Sequence, residues 1–273
     1  MKLLVVTPTL GLSPWLEETV ASVATHAVGE LHVLVSPPEA TAGLARRFPQ
    51  LRIVAERAGG GMYAAINAGL AVAGDWDAFT YLNDDDLLLP DFARIVAAVG
   101  TTVADFHRDA RVIYGGVRLV GADGRRLGAI PISSQPGLNR ALYAQRLEPV
   151  YQHGTVATRA VVEKLGGFDP ALKFCGDSEF LARACVSGTG FVCATRREVA
   201  AFRLRPGQLT KNRGPMIAER VRVDAKLGLL SARPADELRR ARWRFRTANW
   251  RVYAERIARH GFVSFDEMLA RLG

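Results

Sequence analysis

The chain has 273 residues, 49% hydrophobic and 23% charged, a globular composition with ample material for a core. No apolar run approaches the roughly 18 residues that span a bilayer, and "MKLLVVTPTL" lacks a credible signal-peptide cleavage site, so neither a membrane-spanning nor an exported chain is expected. The net charge of +9 sits at one end: residues 196–273 hold 19 Lys+Arg against 8 Asp+Glu and the rest 17 against 19, which argues against a uniform polyanion binder.

"KLLVVTP" (2–8) reads as a buried strand and "PWLEETVASVATHA" (14–27) as a helix, with Ser13 capping it before Pro14. "LHVLVS" (31–36) is a second strand, "ATAGLARRF" (40–48) a short helix and "LRIVAE" (51–56) a third strand. Gly59-Gly60-Gly61 makes a flexible turn before the helix "MYAAINAGLAVA" (62–73), closed by Gly74. "DAFTYLN" (77–83) is a fourth strand and "PDFARIVAAVG" (90–100) a helix with Pro90 in its first turn. Strands separated by helices of this length predict βαβ units, hence an α/β fold with a mostly parallel central sheet that collects ligands at its carboxyl ends. Beyond residue 110 the pattern changes. "ARVIYGGVRLVGADGRRLGAIPI" (110–132) reads as a hairpin turned at Ala122-Asp123-Gly124, and "VYQHGTVATRAVVEKLGGFD" (150–169) as an extended piece leading into a helix stopped by Gly166-Gly167. "DSEFLARACVSG" (177–188) is helical, "FVCAT" (191–195) and "VAAFRL" (199–204) are short strands, and from Arg220 the chain is almost all helix. Cys175, Cys185 and Cys193 match no metal or CxxC spacing and read as reduced core thiols of a cytoplasmic protein.

The fourth strand ends in Asn83, Asp84, Asp85 and Asp86, and three adjacent carboxylates repel one another. They have three ordinary explanations: a hard divalent cation, the cap of the next helix, or a solvated turn. Capping needs one acid, and Asp91 beside Pro90 serves; solvated turns are seldom framed by "AFTYL" and "LLL". Mg²⁺ or Mn²⁺, sharing its shell with substrate phosphates, is therefore favoured.

These residues carry a family resemblance. "YLNDDD" is similar to the DxD element of nucleotide-diphospho-sugar transferases with the glycosyltransferase-A (GT-A) fold. "GGMYAAINAGLAVAGDW" (60–76) resembles the "GxYDAMNxGxxxAxGD" stretch of family-2 glycosyltransferases, and "YQHGTVATRAVVEKLGGFDPALKFCGDSEFLAR" (151–183) their acceptor-side block. Three blocks in order, over roughly residues 1–213, make the match specific. The resemblance implies a GT-A catalytic domain over 1–215, with a nucleotide-binding half (1–100) and an acceptor-binding half (101–215), followed by a basic helical extension over 216–273. It also implies inverting, metal-dependent transfer of a sugar from a nucleotide-diphospho-sugar to a hydroxyl on a glycan or lipid-linked acceptor.

By the same resemblance, Asn83 stands near the ribose, Asp85 takes Mn²⁺ or Mg²⁺, Asp86 supports it, and Asp84 is the variable residue between. Thr7, Pro8 and Thr9 belong to the nucleotide-contacting loop. Ser36 replaces an Asp often used on the base, with Glu39 as a substitute. Tyr63 and Asn67 share one helix face, with Met62, Ile66 and Leu70 as the buried stripe; Asn67 contacts the donor, positions the acids, or is simply exposed. Asp177 is the candidate general base, since an inverting transfer must remove the acceptor's proton; it also reads as an N-cap. Glu179 is the runner-up base. His153 meets phosphate or acceptor, or satisfies a core hydrogen bond. Arg183 steadies the acidic site or makes a surface ion pair. Arg203, Arg205, Lys211 and Arg213, on a loop expected to close over the donor, bind diphosphate or stand solvated. The C-terminal helix interleaves arginines (239, 240, 242, 244, 246, 251) with Trp243, Phe245, Trp250 and Tyr253. Peripheral contact with an anionic membrane, packing on its own domain and pairing with a second copy all suit it; no nucleic-acid motif accompanies the charge. A sugar nucleotidyltransferase would need a basic Gly-rich loop after the first strand, and "TPTLGLSPW" has no Lys or Arg. The departures at Ser36, Asn83 and Gly176 keep an inactive nucleotide-sugar binder in view.

Overall fold

A computed structural model describes residues 1–27, 29–57, 59–208, 213–229, 233–261 and 267. The first half runs β1 (Leu3–Pro8), α1 (Leu16–His26), β2 (Glu30–Ser36), α2 (Pro38–Arg47), β3 (Arg52–Ala55), α3 (Gly61–Val72), β4 (Ala78–Tyr81), β5 (Leu87–Leu88) and, after a 3₁₀ turn, α4 (Ala93–Thr102). The second runs β6 (Arg111–Val120), β7 (Arg126–Ile130), α5 (Asn139–Tyr143), β8 (Thr155–Thr158), α6 (Arg159–Leu165), α7 (Gly176–Val186), β9 (Gly190–Arg203), α8 (Arg213–Lys226), α9 (Ala235–Ala248) and α10 (Trp250–His260). Among the described residues one nine-stranded sheet has the order β3-β2-β1-β4-β8-β6-β9-β5, with β7 on β6.

The expected α/β architecture with its parallel β3-β2-β1-β4 core is present. Leu3 to Val6 are wholly buried because helices cover both faces of the sheet, which is why β1 reads as an unbroken apolar run. Helix α3 lies close on this sheet at Gly69, where a Cβ would stand 2.8 Å from Val6 Cγ1 and 3.1 Å from Val35 Cγ2. Its inner stripe differs from the expected one: Tyr63 and Ile66 are buried, whereas Met62 and Leu70 are only partly so.

The second half reverses direction. β8 is antiparallel to both neighbours, β4 and β6, while β9 is parallel to β6. The two short strands expected at 191–204 are one strand of 14 residues. It stays paired across a register shift at Gly116, where a Cβ would stand 2.6 Å from the Arg196 carbonyl oxygen. The basic C-terminal run is likewise not one helix. It breaks at Asn249, whose side-chain amide donates to the Ile132 and Phe245 carbonyls. The inner face of α9 packs Ala241 and Phe245 against Ala141 and Leu142 of α5. No described helix is long and apolar enough to cross a membrane.

Candidate active site

Topology assembles the site. β1, β2 and β4 are parallel, so residues 8–15, Ser36 and the acidic turn all leave the same sheet edge. Because β8 runs against β4, its entry residues Gln152 and His153 reach that edge too. β9, parallel to β6 and paired at its far end with β5, delivers Phe202 and Arg205. Between them lies a cleft of about 750 Å³.

The acids divide their work. Asp86 is fully buried: Oδ1 accepts from the Arg203 N–H (2.9 Å) and Oδ2 from the Asn83 amide (2.9 Å), with His153 Nε2 at 3.2 Å. Asp84 and Asp85 line the cleft. Asp84 Oδ2 accepts from the Thr9 hydroxyl (2.6 Å), and Asp85 pairs with the Arg205 guanidinium. Burial pushes the Asp85 carboxyl up to about 6, with Asp86 adding to the push and Arg205 opposing it; burial raises Asp84 as well. Polar residues of α1 and of the loop before it hold the backbone of the acidic turn and of β5. Ser13 donates to the Asp84 carbonyl and Thr19 to the Asp86 carbonyl, while Ser22 accepts from the Leu88 N–H. Ser13 also accepts from the Trp15 N–H, but it is not the cap expected of it: Trp15 holds the N-cap position of α1, without a side-chain bond.

Arg203 is 1% exposed and spans the back of the turn. Nε donates to the Asp85 carbonyl, Nη2 to Glu18, and its guanidinium lies 5.3 Å from the Trp15 ring centroid. Trp15 in turn donates to the Ala122 carbonyl of the β6–β7 turn. Burial alone would pull the His153 imidazole down, but the carboxylates of Asp86, Asp177 and Asp85 outweigh it and hold it above the usual histidine range. Neither His153 ring nitrogen has an aligned hydrogen-bond partner among the described residues, nor do Gln152 Oε1 and Asn83 Oδ1; all three side chains line the cleft.

Across the cleft Asp177 occupies the first turn of α7, and Tyr63 donates to its Oδ1 (3.2 Å). Burial and the Asp177 charge push the Tyr63 hydroxyl well above its usual range, so it remains a donor. Gly176, standing where the resembled family often has Glu, is required here: a Cβ would lie 2.5 Å from the Tyr63 ring. Asp177 is not the N-cap. Cys175 holds that position without a side-chain bond, and the Glu219 carboxylate of α8 accepts from the N–H groups of Lys173, Phe174 and Cys175 at 2.9, 2.7 and 2.7 Å.

Of the expected site residues, Pro8, Thr9, Asn83, Asp84, Asp85, His153, Asp177 and Arg205 share the cleft. Five others do different work. Thr7 is buried with its hydroxyl 3.0 Å from His32 Nε2. Asn67 clamps the backbone of Phe168, donating to its carbonyl and accepting its N–H. Glu179 is wholly buried and pairs with Arg183, which also donates to the Leu165 and Gly167 carbonyls, so this pair ties α7 to the Gly166-Gly167 turn. Asp86, expected as a metal ligand, has both oxygens engaged and positions its neighbours instead. Lys211 lies outside the described residues. Trp15, Gln152, Phe202 and Glu219 escaped the sequence reading. Trp15 stood in "PWLEETVASVATHA", Gln152 in "YQHG" and Phe202 in "VAAFRL", but none of them, nor Glu219, was singled out for the site.

Neither a protein-family model nor a curated protein sequence matches the chain. Solved structures do. The chain is similar to S. aureus TarS residues 1–349 in complex with UDP-GlcNAc (14% identity, TM-score 0.62, covering 98% of this chain and 78% of that one). It is similar also to the mannosyltransferase PcManGT from Pyrobaculum calidifontis in complex with GDP-Man and Mn²⁺ (17%, 0.56, 98% and 78%). GalNAc-T7 with UDP, GalNAc and Mn²⁺ is a third (16%, 0.57, 94% and 57%). At these identities it is the backbone path that is shared: the chain has the GT-A fold of glycosyltransferases.

Proposed function

We propose that the protein is an inverting glycosyltransferase that moves a sugar from a nucleotide-diphospho-sugar to an acceptor hydroxyl. One observation carries the reading. In a GT-A fold, a cleft at the carboxyl edge of the sheet holds Asp84, Asp85 and Arg205 on one wall and a tyrosine-braced Asp177 on another.

The chemistry follows from these groups. The acceptor hydroxyl gives its proton to Asp177 as its oxygen bonds to the sugar C1, and the bond from C1 to the diphosphate oxygen breaks on the opposite face. Tyr63, held as a donor, fixes the Asp177 carboxylate and leaves it able to take the proton. The departing nucleoside diphosphate gains charge, and the Arg205 guanidinium on the cleft wall stabilises it. Arg203 and Asp86 keep the acidic turn in place from behind.

The donor set fits a hard divalent cation, Mn²⁺ or Mg²⁺: Asp85, with Asp84 beside it, offers carboxylate oxygen to the cleft, and Asn83 Oδ1 and Gln152 Oε1 are buried oxygens still in want of a partner among the described residues. A cation held there would complete its shell with diphosphate oxygens. Such a cation would supply Lewis-acid stabilisation of the leaving diphosphate. Asp177→Asn tests the reading. Nucleotide-sugar binding should persist while turnover falls by roughly 10²–10⁴, and the wild-type product should carry inverted anomeric configuration by NMR. Full turnover by the variant removes Asp177 as base; a retained configuration removes the mechanism.

The acceptor is expected on a glycan or lipid, and the outer face of α9 and α10 bears on it. Trp243 and Trp250 are 67% and 60% exposed beside exposed Arg239, Arg240, Arg244, Arg246 and Arg251, an arrangement suited to an anionic lipid surface.

A further inference from the structure

Arg205 holds a place that a metal-using transferase would be expected to leave open. Its guanidinium pairs with Asp85, which is 4% exposed and is the acid best placed to serve a cation in the cleft. The arginine is also supported from below. Its guanidinium lies 5.9 Å from the Trp15 ring centroid, beside that of Arg203 at 5.3 Å. Trp15 is anchored by its bond to Ala122, and Arg203 by Asp85, Ala122 and Glu18. The Arg205 N–H is held by the Gln208 side chain (3.2 Å), whose amide donates to the Arg203 carbonyl. The result is a built shelf that presents one positive charge to one buried carboxylate. A second observation points to a ligand here: Gln152 is 5% exposed, its Oε1 has no hydrogen-bond partner among the described residues, and its side chain lines the same cleft.

A guanidinium and a divalent cation held on one carboxylate repel each other and compete for its charge, and a diphosphate is a good acceptor for the displaced guanidinium. We propose that Arg205 is an internal counter-ion for Asp85 that competes with the divalent cation and passes to the diphosphate when the two arrive together. Two consequences follow. The free protein binds metal weakly, because Arg205 already neutralises Asp85 and repels an incoming cation. Nucleoside diphosphate binding is only partly metal-dependent, because Arg205 supplies positive charge to the phosphates by itself. The inference rests on the transferase reading for its ligand and not for its geometry.

The test uses the full chain and an Arg205→Gln variant whose fold is checked by circular dichroism. Mn²⁺ is titrated alone and followed by EPR of the free ion; UDP and GDP are then titrated calorimetrically, with Mn²⁺ and with EDTA. Losing a charge-assisted contact corresponds to about a tenfold change or more. Arg205→Gln should bind Mn²⁺ about tenfold more tightly than the wild type without nucleotide, and in EDTA should bind the preferred nucleotide about tenfold more weakly. Unchanged or weaker Mn²⁺ binding by the variant, no Mn²⁺ binding by either protein, or equal nucleotide affinity of the two in EDTA overturns the proposal. If the wild type binds neither nucleotide under either condition, the transferase reading fails, and the Mn²⁺ titration alone decides whether Arg205 competes.

Discussion

His32 provides the sharpest test of how the sheet beneath the site is held. It lies in β2, 6% exposed, with Nε2 3.0 Å from the Thr7 hydroxyl in β1. Burial lowers its pKa from 6.5 to about 4, so the folded protein keeps the imidazole neutral where the unfolded chain would protonate it. The sign follows: the unfolded state binds the extra proton, so stability is lost as pH falls below about 6.5 and the loss is complete near 4. At 1.36 kcal/mol per unit the full effect is about 3 kcal/mol, of which about 2 is felt by pH 5. His153 opposes it, since its raised pKa adds stability below about 6.5 that is lost as pH rises. His32→Gln removes the His32 contribution and leaves that of His153. Urea unfolding at about pH 7.5 and about pH 5 should show the wild type losing about 2 kcal/mol more than the variant over that interval. Equal losses would refute the claim that a neutral, buried His32 is a condition of folding.

Other expectations follow from single contacts. Gly176→Ala should lower stability by about 1–2 kcal/mol in thermal or urea unfolding, although alanine favours helices, because its methyl meets the Tyr63 ring; a more stable variant would disprove that packing. Asn67→Ala should cost about 2–4 kcal/mol by leaving both Phe168 backbone groups unpaired while nucleotide affinity stays unchanged; the opposite pattern, lower affinity at full stability, would return Asn67 to the donor site. Replacing Trp243 and Trp250 together with alanine should abolish co-sedimentation with phosphatidylglycerol vesicles and leave the melting temperature within a few degrees of the wild type. Wild-type protein that ignores such vesicles at low salt would remove the membrane reading.

Local pattern carried much of this protein. The apolar runs of β1 and β2, the glycines closing α3 and α6, and the strand ending in Asn83–Asp86 are written in short windows, because period, caps and turn chemistry act over a few residues. Asp177 and Arg205 became candidates through the family resemblance of the blocks around them, not through local pattern. What no window could give was the direction of β8. Its reversal depends on which strand edge was left to pair, and it alone brings Gln152 and His153 beside the acids. Nor could spacing separate three adjacent aspartates. Only packing against Arg203 turned Asp86 inward and left Asp84 and Asp85 to the cleft. Asn67 and Thr7 show the limit from the other side: Thr7 adjoins Pro8 and Asn67 stands one helical turn from Tyr63, yet both were claimed by backbone or side-chain partners from distant segments. A polar group deep in a fold must be paired, and its partner is chosen by three-dimensional proximity that residue order does not record.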